Sequence, residues 1–288
     1  MIEATIYNDP ACPWAYSAIP ALRVLEWRYR DQLRWRLVLI GLTEEAEQYI
    51  VRGYTPLRNA LTQQRFRRYG MPFSPNPKPR VSGTARACRA VAAARLDDPG
   101  SEWLVFRALQ LANFTTQLLL DDDVQLADAL AAVPGIDGRA LVARLDDSDV
   151  NDAYERDRTE SRTALGSPAE LQDKTATTDG PVRFTAPSVV FQRDGLQLTG
   201  GGFQPVEAYD VLLVNLDPTL AREAPPDTPR PLLDWFDGGL TTQEVAALMT
   251  RGNDAPDRRA AETSLLELAA AGEATRQPLG DDATWHAA

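Results

Sequence analysis

The stretch DPACPWAYSAIPAL, residues 9–22, determines how the rest of the chain is interpreted. It follows a short apolar run, IEATIY (2–7), which predicts a buried strand. After Cys12 the apolar residues recur at helical spacing, which predicts one helix from Pro13 to Arg30. The run LRWRLVLIGL (33–42) predicts a second strand. A strand, a helix and a strand in this order predict a βαβ unit with parallel strands.

The length and the pattern of elements predict more than one folding unit. The chain has 288 residues, of which 44% are hydrophobic, so it can bury a sizeable core. Strand patterns return late in the chain around an Asp-Gly turn, after a long helical stretch. We expect an α/β domain from 1–42 and 181–221, a helical insertion at 43–180, a proline-rich linker at 222–230 and a C-terminal module at 231–288.

Charge and composition exclude several classes of function. The net charge of −11 argues against nucleic acid or an anionic membrane as the main partner. The chain contains no run of about 18 apolar residues, so we expect no membrane span. Two cysteines and the absence of a basic segment followed by an apolar one predict a cytoplasmic protein. A single histidine and no paired cysteines argue against a metal site. The chain has no Walker or Rossmann glycine motif, and we expect no tightly bound cofactor.

Cys12 stands where a helix is expected to begin. The N-terminus of a helix stabilises negative charge, and this effect lowers the pKa of a cysteine placed there. Pro13 suits the first helical position, because its missing N–H would have no partner there. We therefore expect a thiol of low pKa at Cys12. A Cys-x-x-Cys pair would need a second cysteine at position 15, which holds Ala15.

Four segments together indicate a family. DPACPWAYSAIPAL resembles the active-site stretch of the DsbA family of thioredoxin-fold proteins, close to its intracellular FrnE-like branch. GTARACRAV (83–91) resembles the first helix of that family's insertion, FTAPSVVF (184–191) its cis-proline loop, and LTGGGFQPVEAY (198–209) the opening of its last helix. The resemblance covers about residues 1–216. It implies a thioredoxin fold with a long helical insertion.

The resemblance also implies which residues form the site. Cys12 and Pro187 are the expected catalytic residues, with Pro187 in a cis peptide bond that brings the Ala186 backbone opposite Cys12. The expected substrate contacts lie beside these two positions: Pro13, Trp14, Ala15, Tyr16, Ala186 and Gln204. Cys88 is a candidate second thiol, although a small buried side chain is the simpler interpretation.

Two departures from the family pattern leave the chemistry open. Ala15 replaces the second active-site cysteine, and Cys88 replaces the histidine usual in the insertion helix. Cys12 could work as a monothiol resolved by an external small thiol, or Cys88 could resolve it from a distance. Kappa-class glutathione transferases and 2-hydroxychromene-2-carboxylate isomerases share this fold and use a serine at the position of Cys12. Their Gly-x-Asp-Arg motif is absent from this chain.

We expect a cytoplasmic DsbA-like thiol–disulfide oxidoreductase or isomerase that acts through Cys12 as a monothiol. Its co-substrate would be a low-molecular-weight thiol, and its partner a small thiol or a disulfide-containing substrate. The alternatives are a thiol-dependent transferase or isomerase, and a binding protein without turnover. A homodimer is a further open alternative.

The segment from 231 onward predicts helices followed by two short strands about a Gly-Asp turn, a pattern that resembles a winged helix. Winged helices often bind DNA, but Asp227 to Ala288 hold five arginines and eleven acidic residues. Because DNA affinity depends largely on neutralising phosphates, this acidic balance predicts no nucleic-acid binding. We expect the module to pack on the thioredoxin domain or to mediate dimerisation.

Overall fold

The computed structural model describes all 288 residues. Its nine strands are, in chain order, β1 (Ile2–Asn8), β2 (Leu33–Leu39), β3 (Thr175–Ala176), β4 (Arg183–Phe184), β5 (Ser188–Arg193), β6 (Leu196–Gly200), β7 (Leu240–Thr241), β8 (Ala274–Leu279) and β9 (Asp282–Ala287). Its α-helices are α1 (Pro13–Ser17), α2 (Ile19–Tyr29), α3 (Ala46–Val51), α4 (Pro56–Phe66), α5 (Ala85–Asp97), α6 (Ser101–Thr115), α7 (Asp123–Leu130), α8 (Gly138–Ala143), α9 (Ser148–Ser161), α10 (Pro168–Leu171), α11 (Val206–Leu216), α12 (Arg230–Trp235), α13 (Thr242–Met249) and α14 (Arg258–Ala270).

The main sheet joins the two ends of the interrupted domain. Its strand order is β2–β1–β5–β6. β1 pairs with β2 in parallel, as the βαβ prediction requires, and β5 lies antiparallel to β1 on the other side. β5 and β6 form the predicted hairpin, in which Asp194 and Gly195 both take positive φ angles of 51° and 80°. Such angles at both turn residues match the right-handed twist of the flanking strands. The predicted α/β thioredoxin fold is confirmed.

The predicted single helix from Pro13 to Arg30 is wrong in one respect. The structure has two helices, α1 and α2, separated at Ala18. Pro20 explains the break, because it has no N–H to donate to the carbonyl of Tyr16. The short α1 therefore sets the direction of the active-site segment independently of α2.

The long insertion packs its helices on one face of the sheet. Ile2, Ala4 and Ile6 of β1 point into the same core as the alanine-rich face of α5 and the apolar face of α6. Between residues 43 and 180 the sequence predicts helices, yet the structure adds β3, which pairs with β4 in a two-residue ladder. Two residues are too short to carry an alternating pattern, so this strand could not be predicted.

The C-terminal region adds three helices and a sheet of order β7–β9–β8. The sequence predicts only β8 and β9 of these strands; the comparison with a winged helix stays a prediction. The region packs on α2, where the Arg30 guanidinium lies 3.7 Å from the ring centroid of Trp27 and 3.8 Å from that of Trp235. The proline-rich segment before it also follows α2, since the Trp27 indole donates to the Ala224 carbonyl at 2.9 Å.

A buried ion pair ties the C-terminal region to the rest of the chain. Glu244 of α13 is fully buried and accepts from both terminal nitrogens of Arg107, at 2.7 and 2.9 Å. Arg23 of α2 donates to it at 3.3 Å, and the Thr241 backbone N–H at 2.7 Å. Burial by itself raises the pKa of Glu244, but the two guanidinium groups and the backbone donor outweigh burial and lower that pKa to about 2.

None of the helices combines the length and apolar character that crossing a membrane requires.

Replacing Glu244 by glutamine leaves Arg107 buried without a counter-charge, while Arg23 keeps its pair with Glu26. We expect Glu244→Gln to lower the free energy of unfolding by about 3–5 kcal/mol, as measured by urea denaturation. Asp234→Asn is the matched control, because Asp234 pairs with Arg230 on the surface, and such pairs contribute about 0–1 kcal/mol.

The same variant makes a prediction about pH. Because the folded pKa of Glu244, about 2, is below its ordinary value of 4.5, its stabilisation is complete above that value and is lost as pH falls through the folded pKa. The stability difference between wild type and Glu244→Gln should therefore shrink between these two pH values. Equal stabilities at neutral pH would contradict the role of this ion pair.

Candidate active site

Cys12 lies at the N-cap of α1, at the carboxyl end of β1. Its backbone is extended, with φ −83° and ψ 118°, and Pro13 occupies the first helical turn as expected. The Cys12 carbonyl accepts the first helical hydrogen bond, from Tyr16 N at 3.0 Å. The side chain is 7% exposed and packs in a cluster with Ala15 and Ala186. The thiol is therefore fixed at a helix start but is largely shielded from water.

Ala186 faces Cys12 across the site. The Ala186–Pro187 peptide bond is cis, as the family resemblance implies. The Cys12 thiol donates to the Ala186 carbonyl, with Sγ 3.2 Å from the oxygen. The next residue, Ser188, fixes this loop, because its hydroxyl donates to the Thr185 carbonyl at 2.7 Å and accepts from Gly202 N at 3.1 Å.

The expectation of a low-pKa thiol at Cys12 is wrong for this structure. Burial is the main cause that raises the pKa of Cys12 to about 12, and the nearby charge of Asp9 also acts to raise it. The backbone N–H groups of Ala15 and Trp14 lower it, which is the helix N-terminal effect that the sequence predicts. Desolvation outweighs that effect because a thiolate in this position would lose most of its water. At neutral pH Cys12 is a protonated hydrogen-bond donor.

The Asp9 carboxylate is a site residue that the sequence analysis missed. It is fully buried and accepts from the backbone N–H groups of Ala11 at 2.9 Å and Leu42 at 2.8 Å. The Thr84 hydroxyl adds a third hydrogen bond at 3.1 Å. Burial raises the pKa of Asp9, and these hydrogen bonds oppose the rise. An acidic residue that directly follows a buried strand and directly precedes Pro10 was the signal available in the sequence.

Cys88 also lies beside Asp9. Its Sγ is 3.8 Å from Asp9 Oδ2, and its side chain belongs to the core under α5. Both cysteines are free thiols. Burial raises the pKa of Cys88 well above its ordinary value, and the charge of Asp9 adds to this. The burial of Cys88 agrees with a packing role.

Aromatic side chains cluster around Trp14, two residues after Cys12. Trp14 is 41% exposed, and its ring centroid lies 4.8 Å from that of Phe66, 5.9 Å from Tyr69 and 5.6 Å from Phe203. Tyr69 and Phe203 also contact each other at 4.8 Å. We call these four residues the aromatic wall. The sequence analysis identified only Trp14, because the other three come from α4, the turn after it and the loop before α11.

Other predicted contacts lie differently. Tyr16 is fully buried, donates to the Pro72 carbonyl at 2.7 Å and stacks on Phe114 at 4.5 Å. Its prediction as a substrate contact is therefore wrong, because α1 turns this side chain into the core. Ala15 is also fully buried. Gln204 is half-buried and donates to the Gly201 carbonyl at 2.7 Å, so it stabilises the loop that carries Phe203.

The pKa of Cys12 is testable with an alkylating agent in a Cys88→Ser background. We expect Cys12 to react with iodoacetamide at neutral pH at least about tenfold more slowly than an ordinary thiol of pKa about 8.5. The same protein in denaturant is the control and should react at the ordinary rate, since unfolding removes the burial. A rate profile with a midpoint below the ordinary thiol value would contradict the buried, protonated Cys12.

Comparisons with known proteins agree with this geometry. A model of the DSBA-like thioredoxin domain matches residues 4–177. No curated protein matches the chain significantly. Among solved structures, a probable DsbA oxidoreductase of Streptomyces coelicolor is 17% identical, with 76% of this chain and 91% of that chain covered and a TM-score of 0.56. The cytosolic disulfide reductase DsbM of Pseudomonas aeruginosa is 18% identical, covering 74% of this chain and 98% of its own, with a TM-score of 0.51.

DsbM is also similar in a structure with GSH, at 17% identity and a TM-score of 0.52, covering 74% of this chain and 98% of its own. Identities this low show a shared fold and do not transfer an activity. The matching family model spans more than half of the chain, from β1 through the whole helical insertion. The protein therefore belongs to the family of DSBA-like thioredoxin domains.

Proposed function

We propose that the protein catalyses thiol–disulfide exchange through Cys12 as a monothiol, with an external low-molecular-weight thiol as co-substrate. The observation that carries this proposal is the 3.2 Å contact between Cys12 Sγ and the Ala186 carbonyl. The lone thiol stands at the N-cap of α1. Its contact with Ala186 sets it opposite a backbone segment with which an extended substrate can pair. Ala15, buried beside Cys12, offers no second sulfur.

The exchange takes two steps. Cys12 attacks one sulfur of the substrate disulfide, a bond forms between them, and the other substrate sulfur leaves with the proton that Cys12 gave up. The external thiol then attacks the mixed disulfide and takes over the substrate sulfur, and Cys12 regains a proton. One disulfide is consumed and one is formed, so no further oxidant or reductant is required.

The buried thiol makes the first step dependent on substrate. Burial keeps Cys12 protonated. The thiol is therefore unreactive until a disulfide is positioned so that one of its sulfurs bonds to Cys12 and the other, leaving sulfur takes the proton. The aromatic wall presents Trp14, its one exposed member, as a surface on which the substrate can pack. Such a site would protect Cys12 from oxidation by molecules that do not bind.

We further propose that the protein acts in the reducing cytoplasm, where its two unpaired cysteines would persist. The C-terminal region packs on α2 through Arg30 and Glu244. This packing supports a structural role for the region rather than dimerisation, and its acidic balance opposes nucleic-acid binding.

An activated pyridyl disulfide tests the monothiol mechanism. We expect one adduct, located on Cys12 by mass spectrometry, that persists until an external thiol is added. Cys12→Ser should abolish the adduct, and Cys88→Ser, the matched control, should keep it. Ala15→Cys should release the adduct by closing an internal disulfide, because the two sulfurs are then one helical turn apart.

Two outcomes would contradict this mechanism. A Cys12–Cys88 disulfide in the treated wild type would make Cys88 the resolving thiol. An adduct that clears without added thiol in Cys88→Ser would also be inconsistent with a lone cysteine.

A second candidate is a protein that binds a thiol compound without redox turnover, as the transferase and isomerase branches of the fold do. The protonated Cys12 favours it, because such a group donates a hydrogen bond to a bound thiolate rather than attacking a disulfide. Stabilisation by reduced glutathione in a thermal-shift assay, together with no adduct from the pyridyl disulfide, would support this candidate over exchange.

A further inference from the structure

A cavity lies on the opposite face of the main sheet from Cys12. It has a volume of about 290 Å³ and is lined by residues of α2, α6 and the strands β1 and β2. Ile6 and Asn8 line it, whereas Tyr7 between them packs in the Cys12 cluster. Successive residues of a strand point to opposite faces. The cavity is therefore separate from the site described above.

Three of the residues that line the cavity hold N–H groups without a hydrogen-bond partner. They are Trp35 Nε1, Arg107 Nε and Gln110 Nε2. Arg107 and Gln110 are 7% and 3% exposed, so bulk water does not satisfy them. All three are donors, and no buried acceptor of the lining residues lacks a partner. A buried polar group without a partner is unfavourable. The wall therefore favours a molecule that brings acceptors.

The charges of the wall are already balanced. Arg107 is held by Glu244, and Arg23 donates to Glu26 at 2.5 Å and to Glu244 at 3.3 Å. Two guanidinium groups thus face two carboxylates. The unused Nε of Arg107 still carries part of its positive charge, and it strengthens a bond to an anionic or carbonyl oxygen. An amine would leave these N–H donors without a partner.

The rest of the wall is apolar. Ile19 and Leu22 of α2 face Trp103 and Phe106 of α6 across the cavity. Ligand sites of this kind combine an apolar wall with a few convergent polar groups, and their volumes begin near 300 Å³. The size suits a compact molecule with one ring system.

We infer that this cavity is a binding site for a small organic molecule with an apolar ring and one acceptor group, a carboxylate or a carbonyl. The ring lies between α2 and α6, and the acceptor oxygens bond to the free donors of Trp35, Arg107 and Gln110. This inference is independent of the proposed thiol chemistry, because no residue of the cavity belongs to the core cluster that contains Cys12.

Isothermal titration with matched probes tests the inference on the full chain. Phenylacetate and naphthylacetate supply the acceptor at two ring sizes, phenylacetamide supplies it without charge, and phenethylamine supplies a donor instead. We expect at least one acceptor probe to bind, and phenethylamine to bind at least about tenfold more weakly. The charged and neutral acceptors distinguish a carboxylate from a carbonyl ligand.

Variants locate the bound probe. Leu22→Trp should fill the cavity and abolish binding, whereas Leu104→Trp, on the exposed side of α6, should not. Gln110→Met and Trp35→Phe each remove one donor and should weaken binding about tenfold; Gln197→Met, on the exposed edge of β6, is the control. Circular dichroism establishes that each variant folds.

Absence of binding by all acceptor probes at millimolar concentration would overturn the inference. Equal affinity for phenethylamine, or binding that Leu22→Trp leaves unchanged, would overturn it as well. The Cys12 adduct with the pyridyl disulfide should be the same in Leu22→Trp as in wild type, so a failure here is distinguishable from a failure of the exchange mechanism.

Discussion

The buried carboxylate of Asp9 is the constraint on which the candidate site depends. It lies where β1 ends, and it fixes three segments that come from different parts of the chain. Ala11 belongs to the turn before α1, Leu42 follows β2, and Thr84 precedes α5. One charged group thus joins the two halves of the βαβ unit to the helical insertion. Without an acceptor at this position, two partly buried backbone N–H groups would be left without a partner.

The position of Cys12 follows from this arrangement. Asp9 also fixes the turn through its backbone carbonyl, which accepts from Cys12 N at 3.2 Å. The turn aims the thiol at Ala186, and the short α1 places Trp14 outward and Tyr16 inward. The cost is electrostatic, because the same carboxylate that organises the turn disfavours a thiolate beside it. Under the proposed mechanism, such a site reacts when a substrate enters rather than at rest.

The sequence was sufficient for the fold but not for the electrostatics of the site. The parallel β1–β2 pair, the Asp194–Gly195 hairpin and the place of Cys12 at a helix start all follow from local patterns. Those patterns say nothing about how deeply the thiol is buried, because burial depends on segments far apart in the chain. The same limit explains why the sequence predicts Tyr16 as a substrate contact and identifies only Trp14 among the four residues of the aromatic wall. The buried Arg107–Glu244 pair joins residues 137 positions apart, and no local signal announces it.

The most direct test of the account is the pKa of Cys12 in Asp9→Asn, measured from thiolate absorbance against pH with Cys88→Ser as the common background. Asparagine keeps an accepting oxygen at this position but removes the negative charge. Glu3→Gln, on the exposed side of β1, is the control and should leave the titration unchanged. We predict that Asp9→Asn lowers the pKa of Cys12, yet keeps it above the value of an ordinary thiol, because the burial persists. An unchanged or higher pKa of Cys12 in Asp9→Asn would contradict the account.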